Sequence, residues 1–286
     1  MEQDRPTPTQ HDRATIPAAM AEGIVATAHR LADAARRETL RLFRSPELRP
    51  DNKATHGFDP VTEADRASER AMRAILAAER PDDAILGEEY GHSPGRSGLT
   101  WILDPIDGTR AFMAGAPSWG VLVALADRSG PIYGLVDQPH LDERFEGGLG
   151  RAQLTGRGAR QTLASRRGVG LGQATLMTTY PQIGSPAEQA AFERVAADVR
   201  LTRYGLDCYA YALLAAGHVD LVIEAGLQPY DVAAPIAVIE AAGGVVTDWQ
   251  GGPAHGGGRI LAAGSPELHA EALARLGGGG WPTPSG

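Results

Sequence analysis

Asp104 and Asp107 stand three residues apart in WILDPIDGTRAF, the stretch from Trp101 to Phe112. They close a short apolar run, where two carboxylates repel each other unless a cation or good solvation makes the pair tolerable. Pro105 restricts the residue before it to an extended approach. Gly108 lets a ligand come close to the backbone. Thr109 adds a hydroxyl at a predicted helix N-terminus, whose N–H groups suit a phosphate. Other carboxylates fall at predicted element ends: Asp65 in DPVTEAD, Glu88 and Glu89 in LGEEYG, and Asp231 in PYDVAA. An all-oxygen set suits Mg²⁺ or Mn²⁺ and not zinc. The eight histidines are scattered without zinc-ligand spacing. Metal ions lying between Asp104 and Asp107 would make the pair favourable.

Each acid taken alone also has a plainer reading. Asp65 follows Thr62 by three residues and can close a capping box. Glu88 and Glu89 fit a solvated turn, and Asp231 can stabilise a helix N-terminus through the dipole. Asp207, in GLDCY, can serve as an N-cap.

The elements that must position these residues are legible in the periodicity. Ile24, Ala28, Leu31, Ala35 and Leu42 recur at helical spacing, which predicts a helix over 18–43. SPELRPDNKATHGFDP follows as a loop, and a second helix runs from Thr62 to before Pro81 with Met72, Ile75 and Leu76 inward. AILGEE and TWILD are short strands ending in acids. SWGVLVALADRSGPIYGLVDQP is a hairpin around 128–130, and short strands with glycine turns continue from it. Beyond it strands at 174–181, 219–225, 244–248 and 259–264 alternate with helices at 186–200, 207–217, 231–242 and 266–276. This half is therefore α/β, after an α+β N-terminal half. Two domains are expected, 17–168 carrying the metal-binding acids and 169–277 the substrate side, with disordered tails at 1–16 and 278–286.

A net charge of −8 argues against a nucleic-acid partner, although bound metals would still let an acidic protein hold a phosphorylated metabolite. No apolar run reaches the roughly 18 residues of a membrane-spanning helix. The polar N-terminus has no apolar signal core, and the protein is expected in the cytoplasm. Cys208, the one cysteine, excludes an internal disulfide and is predicted to be a buried helix residue.

DPVTEAD, GEE, WILDPIDGT and YDVAAPIAVIEAAGG occur in the order and rough spacing of the inositol monophosphatase superfamily, which the chain resembles over about residues 20–276. DPIDGTRAFMAGAPSWG and DCYAYALLAAGHVDLVIEAGLQPYD are most similar to its histidinol-phosphate phosphatases, which share Tyr230 where the inositol-cleaving members usually carry Trp. The resemblance implies a layered α-β-α-β-α sandwich of the inositol monophosphatase and fructose bisphosphatase type. It implies two or three Mg²⁺ ions per site, or Mn²⁺, held by Glu88, Asp104, the carbonyl of Ile106, Asp107 and Asp231. It assigns Asp65 and Thr109 to orienting and deprotonating the attacking water, and Gly108 and Thr109 to the phosphate. Glu89 and Lys53 are left unassigned. Two metals about 4 Å apart would clamp an in-line displacement, so no enzyme nucleophile is needed.

Substrate choice falls to other residues. Glu224 stands seven residues before Asp231, where the family places an acid on the leaving group. Asp207 replaces what is usually a small apolar residue in the inositol-cleaving relatives, and Arg110 marks the histidinol-phosphate group. Two acids favour a cationic leaving group, so the expected substrate is L-histidinol phosphate. The alternatives are an inositol phosphate, an amino-sugar phosphate, or a non-catalytic regulatory role for the same fold. Trp119 is either a pocket wall or core. The resemblance also implies a homodimer and sensitivity to lithium.

Overall fold

The structure is a computed structural model that describes residues 16–52, 60–156 and 158–277. Its first half is α1 (Ala18–Leu42), β1 (Pro50–Asn52), β2 (Pro60–Thr62), α2 (Glu63–Glu79), β3 (Ala84–Gly87), β4 (Gly91–Ser93), β5 (Thr100–Asp107), α3 (Thr109–Met113), β6 (Gly120–Asp127), β7 (Gly130–Gln138), β8 (Glu143–Gly148), β9 (Arg151–Gly156) and β10 (Ala159–Thr162). There follow β11 (Thr175–Thr178), α4 (Pro186–Ala196), β12 (Leu201–Tyr204), α5 (Cys208–Ala215), β13 (Leu221–Leu227), α6 (Pro229–Ala241), β14 (Val245–Thr247), β15 (Gly258–Ala263) and α7 (Pro266–Leu276).

Eight strands form one sheet in the order β10-β9-β8-β7-β6-β5-β3-β4, antiparallel except between β3 and β5. A five-stranded mixed sheet has the order β12-β11-β13-β15-β14. Side chains alternate across each strand, and the core divides accordingly. Trp101, Leu103, Val121, Val123 and Leu125 face α1 and α2. Ile102, Leu122, Ala124 and Val136 face α5 and α6. Those two helices also pack on Val222, Ile260 and Ala262 of the smaller sheet, whose far side holds Leu221, Ile223 and Leu261 against α4 and α7. The layers are therefore α-β-α-β-α, as the family resemblance implies.

Helix α6 lies almost on the backbone of the large sheet. A Cβ on Gly134 would sit 2.3 Å from the carbonyl oxygen of Ala234, and one on Gly147 would sit 2.5 Å from that of Ala237. Glycine is required at both places because another backbone occupies the side-chain position.

The structure corrects several expectations. The loop after α1 contains the antiparallel β1–β2 pair. The helix expected over 186–200 ends at Ala196, and the residues after it turn back to supply β12 at the sheet edge. Ile16, assigned to the N-terminal tail, packs against the core beneath α1. The rest of both tails and Lys53 lie outside the described residues. Trp119 is fully buried among Phe43 and Phe112, which makes it core and not pocket wall.

Candidate active site

On a regular strand, residues three apart point to opposite faces. Strand β5 avoids this because its pairing with β6 shifts register between Asp104 and Asp107, around Pro105. Such a bulge re-aims side chains. The carboxylates of Asp104 and Asp107 converge with that of Asp231, from the first turn of α6, with ligand oxygens all within 4.8 Å of one another. The Ile106 N–H donates to Asp104 Oδ1 at 3.0 Å, the Gln228 N–H to Asp231 Oδ2 at 2.7 Å, and the Cys208 N–H to Asp107 Oδ2 at 2.5 Å. Asp231 thus does serve its helix terminus as well as the cluster, and Cys208 contributes through its backbone while its thiol is buried.

Burial dominates the electrostatics. It pushes the Asp104 carboxyl well up, reinforced by Glu88, Asp107 and Asp231. Asp107 is raised in the same way, with Asp207 and Asp231 adding to burial. Asp231 is pushed up to about 7 by burial and Glu88, against the opposing hydrogen bond from Gln228. Crowded buried carboxylates hold protons until a cation replaces them.

Asp65 caps α2 as its spacing predicts. Its Oδ2 accepts from the Thr62 N–H at 2.8 Å and from the Thr62 hydroxyl at 2.5 Å. Its Oδ1 is buried without a hydrogen-bond partner. Burial raises this carboxyl to about 6, although the Thr62 bonds pull it down. An all-oxygen cluster with an orphaned carboxylate oxygen fits a hard divalent cation. The residues that could hold it are Glu88, Asp104, Asp107 and Asp231, with the Ile106 carbonyl. Thr109 opens α3 after Gly108, which has φ +85°. Its hydroxyl donates to the Ile106 carbonyl at 3.2 Å, so Thr109 and Asp65 are not hydrogen-bonded to each other.

A pocket of about 510 Å³ adjoins the cluster, with Glu88, Asp107, Arg110, Asp207, Glu224 and Asp231 in its wall. Asp207 stands at the N-terminus of α5 but makes no capping bond, so the plainer reading fails for it. Its backbone lies at φ 48°, ψ −135°, after positive φ at Gly205 and Leu206. Such a conformation costs about 1–3 kcal/mol for a non-glycine residue. The carboxylate accepts from the Ser118 hydroxyl and faces Arg110, and burial lifts it to about 6. It also occupies the space a Gly108 side chain would need, since a Cβ there would meet Asp207 Cγ at 2.8 Å. Glu224 accepts from the Thr179 N–H at 2.6 Å and the Thr178 hydroxyl at 3.2 Å, and burial raises it to about 7. The Arg110 guanidinium stacks 5.5 Å from the Tyr180 ring centroid.

Sequence reasoning missed Glu69. Its buried carboxylate accepts from the N–H groups of Glu89 at 2.7 Å and Tyr90 at 3.2 Å, and from Arg73 at 2.7 Å. It thereby fixes the turn that carries Glu88. A Cβ on Gly87 would lie 2.0 Å from Glu69 Oε1, so the glycine before the two acids was the available signal. Tyr211, which also lines the pocket, was missed as well.

The family described as the inositol monophosphatase family matches residues 20–277. The chain is 43% identical over 231 residues to a chloroplastic bifunctional phosphatase of Arabidopsis thaliana, covering 77% of this chain and 66% of that protein, slightly under two thirds of its length. It is 38% identical over 255 residues to a histidinol-phosphatase of Mycobacterium tuberculosis, covering 87% of this chain and 96% of that one. An inositol monophosphatase from Zymomonas mobilis superposes with a TM-score of 0.79 at 41% identity, covering 89% of this chain and 98% of that chain.

Proposed function

The chain belongs to the inositol monophosphatase family, and from that premise we propose that it is a Mg²⁺-dependent phosphomonoesterase whose substrate is L-histidinol phosphate. Phosphatases of this family use divalent metal ions on small phosphorylated substrates. The observation that carries the substrate reading is Asp207, a carboxylate held in a costly backbone conformation, without a capping bond, in the pocket wall that also holds Glu224. Two carboxylates there suit an ammonium and an imidazole, whereas a neutral polyol offers only hydroxyls. Histidinol-phosphatases at 31–38% identity over most of the chain support this reading.

Glu88, Asp104, Asp107 and Asp231, with the Ile106 carbonyl, would hold the metal. Bound Mg²⁺ would supply Lewis acidity at the phosphoryl oxygens and lower the pKa of water. Asp65 Oδ1 accepts the proton of the attacking water, a role suited to a carboxyl raised to about 6. The Thr109 hydroxyl orients that water, and the N–H groups of Gly108 and Thr109 bind phosphate oxygens. Asp207 and Glu224 bind the cationic leaving group, and Arg110 keeps Asp207 ionised. The displacement needs no covalent nucleophile from the chain, and the Cys208 thiol is held protonated by burial and by Asp107.

Initial rates on L-histidinol phosphate, myo-inositol 1-phosphate and glycerol 2-phosphate test the substrate. L-histidinol phosphate should lead by at least about 10-fold in kcat/KM, the value of one hydrogen bond to a charged group. A lead for either neutral ester would overturn it. With the same family reading go a cytoplasmic homodimer, checked by light scattering, and inhibition by millimolar Li⁺, checked at limiting Mg²⁺.

A further inference from the structure

Tyr211 belongs to α5, is 3% exposed, and lines the pocket beside the acidic cluster. Its hydroxyl is buried with no hydrogen-bond partner. Phenylalanine would fill the same space without the cost of an unsatisfied hydroxyl. The charges acting most strongly on the phenol are those of Glu224, Asp107 and Asp231, and together with burial they keep it protonated. Glu224 is held from its own strand's neighbour, by the Thr178 hydroxyl and the Thr179 N–H.

Tyr211 shares the pocket wall with Glu224, Asp107 and Asp231, and the hydrogen-bonding capacity of its hydroxyl is unused. We propose that the Tyr211 hydroxyl oxygen is a specificity contact that accepts a hydrogen bond from an ammonium group of the leaving alcohol, beside the charge supplied by Glu224. A neutral acceptor suits this place because a further carboxylate would add to the repulsion around the metal ligands. The inference deepens the substrate reading and rests on it for the class of ligand, an aminoalkyl phosphate.

The test compares wild type and Tyr211→Phe on L-histidinol phosphate and its N-acetyl derivative, which lacks the ammonium. Calorimetric binding of L-histidinol provides a readout without turnover. Tyr211→Phe should leave the melting temperature unchanged or higher. It should weaken L-histidinol binding and raise KM for the amine substrate by about 10-fold or more, as expected for a hydrogen bond to a charged group. Activity on the N-acetyl ester should stay within about 2-fold. Unchanged histidinol binding, or equal losses on both esters, would overturn the proposal. The substrate reading fails separately: it falls if wild type prefers myo-inositol 1-phosphate, whereas the Tyr211 contact stands or falls on the amine and N-acetyl pair.

Discussion

Replacing Asp207 by asparagine removes one charge and almost no volume. The amide oxygen can still accept from Ser118, and the contact above Gly108 keeps its shape. The charge lost is the one offered to a cationic leaving group, and with it go the attraction to Arg110 and the repulsion of Asp107. A unit charge about 5 Å away at an effective dielectric constant of about 20 is worth about 3 kcal/mol. The direct value of a hydrogen bond to a charged group is about 1.5–3 kcal/mol. Both place the loss in kcat/KM for L-histidinol phosphate at about 10–150-fold, carried mainly by KM. Glycerol 2-phosphate should change by less than about 2-fold. The pH dependence adds an independent signature. The Asp207 carboxyl sits at about 6 in the free protein, so wild-type kcat/KM for the cationic ester should fall as pH drops through 6 and the charge is neutralised. Asp207→Asn should show a smaller fall over the same range. Phosphate-release rates at saturating Mg²⁺, from pH 5 to 8.5 on both esters, measure all of this. Equal losses on the charged and neutral esters would show that Asp207 serves the fold or the metals, and the electrostatic argument would be refuted.

Asp104→Asn should abolish turnover while raising the melting temperature of the metal-free protein at pH 8, because it removes a carboxyl whose ionised form burial and its acidic neighbours disfavour; a cooperative melt with unchanged activity would sink the metal-ligand assignment. In chelator, stability should decline as pH rises from about 4 through 6 and 7, since the folded carboxyls of Asp65 and Asp231 titrate at about 6 and about 7, above their unfolded value of 3.8. Added Mg²⁺ should remove that decline, and thermal melts across the range would check it. Gly87→Ala drives a methyl group into the Glu69 carboxylate, so it should cost about 1–3 kcal/mol and raise the Mg²⁺ concentration for half-maximal activity several-fold. Equilibrium binding of Mn²⁺ would separate that effect from general damage, which would leave metal affinity intact.

Local sequence carried the parts of this molecule that depend on local physics. The stripe from Ile24 to Leu42 places α1 within a residue of its observed end, and Thr62 with Asp65 caps α2 as the spacing implies. Asp104 and Asp107 announce themselves because two acids after an apolar run need a reason. What the pattern could not carry depends on which segments meet. Strand β12 has largely exposed residues at a sheet edge, so neither burial nor alternation marks it. Pro105 lacks the N–H a ladder needs and so marks a strand end in the sequence, yet β5 continues through it because a bulge accommodates the missing donor. Glu69 and Tyr211 look like ordinary helix residues until packing brings one beneath the turn at Glu88 and the other into the pocket.

The meeting of Asp107 with the start of α5 spans 101 residues of sequence, and Asp231 joins from a helix clasped between the two sheets. Contacts this distant close slowly, because loop entropy is lost before they bring any return. A nascent chain that has made the whole large sheet therefore still lacks the complete acidic cluster that could hold a metal ion. Metal ions recognise the finished arrangement and not the parts, so by mass action they favour the last docking step over earlier ones. On the proposed function the ions would act as a latch on assembly: hydrolytic power would appear only once the chain has closed on itself, and half-made molecules would leave phosphate esters untouched.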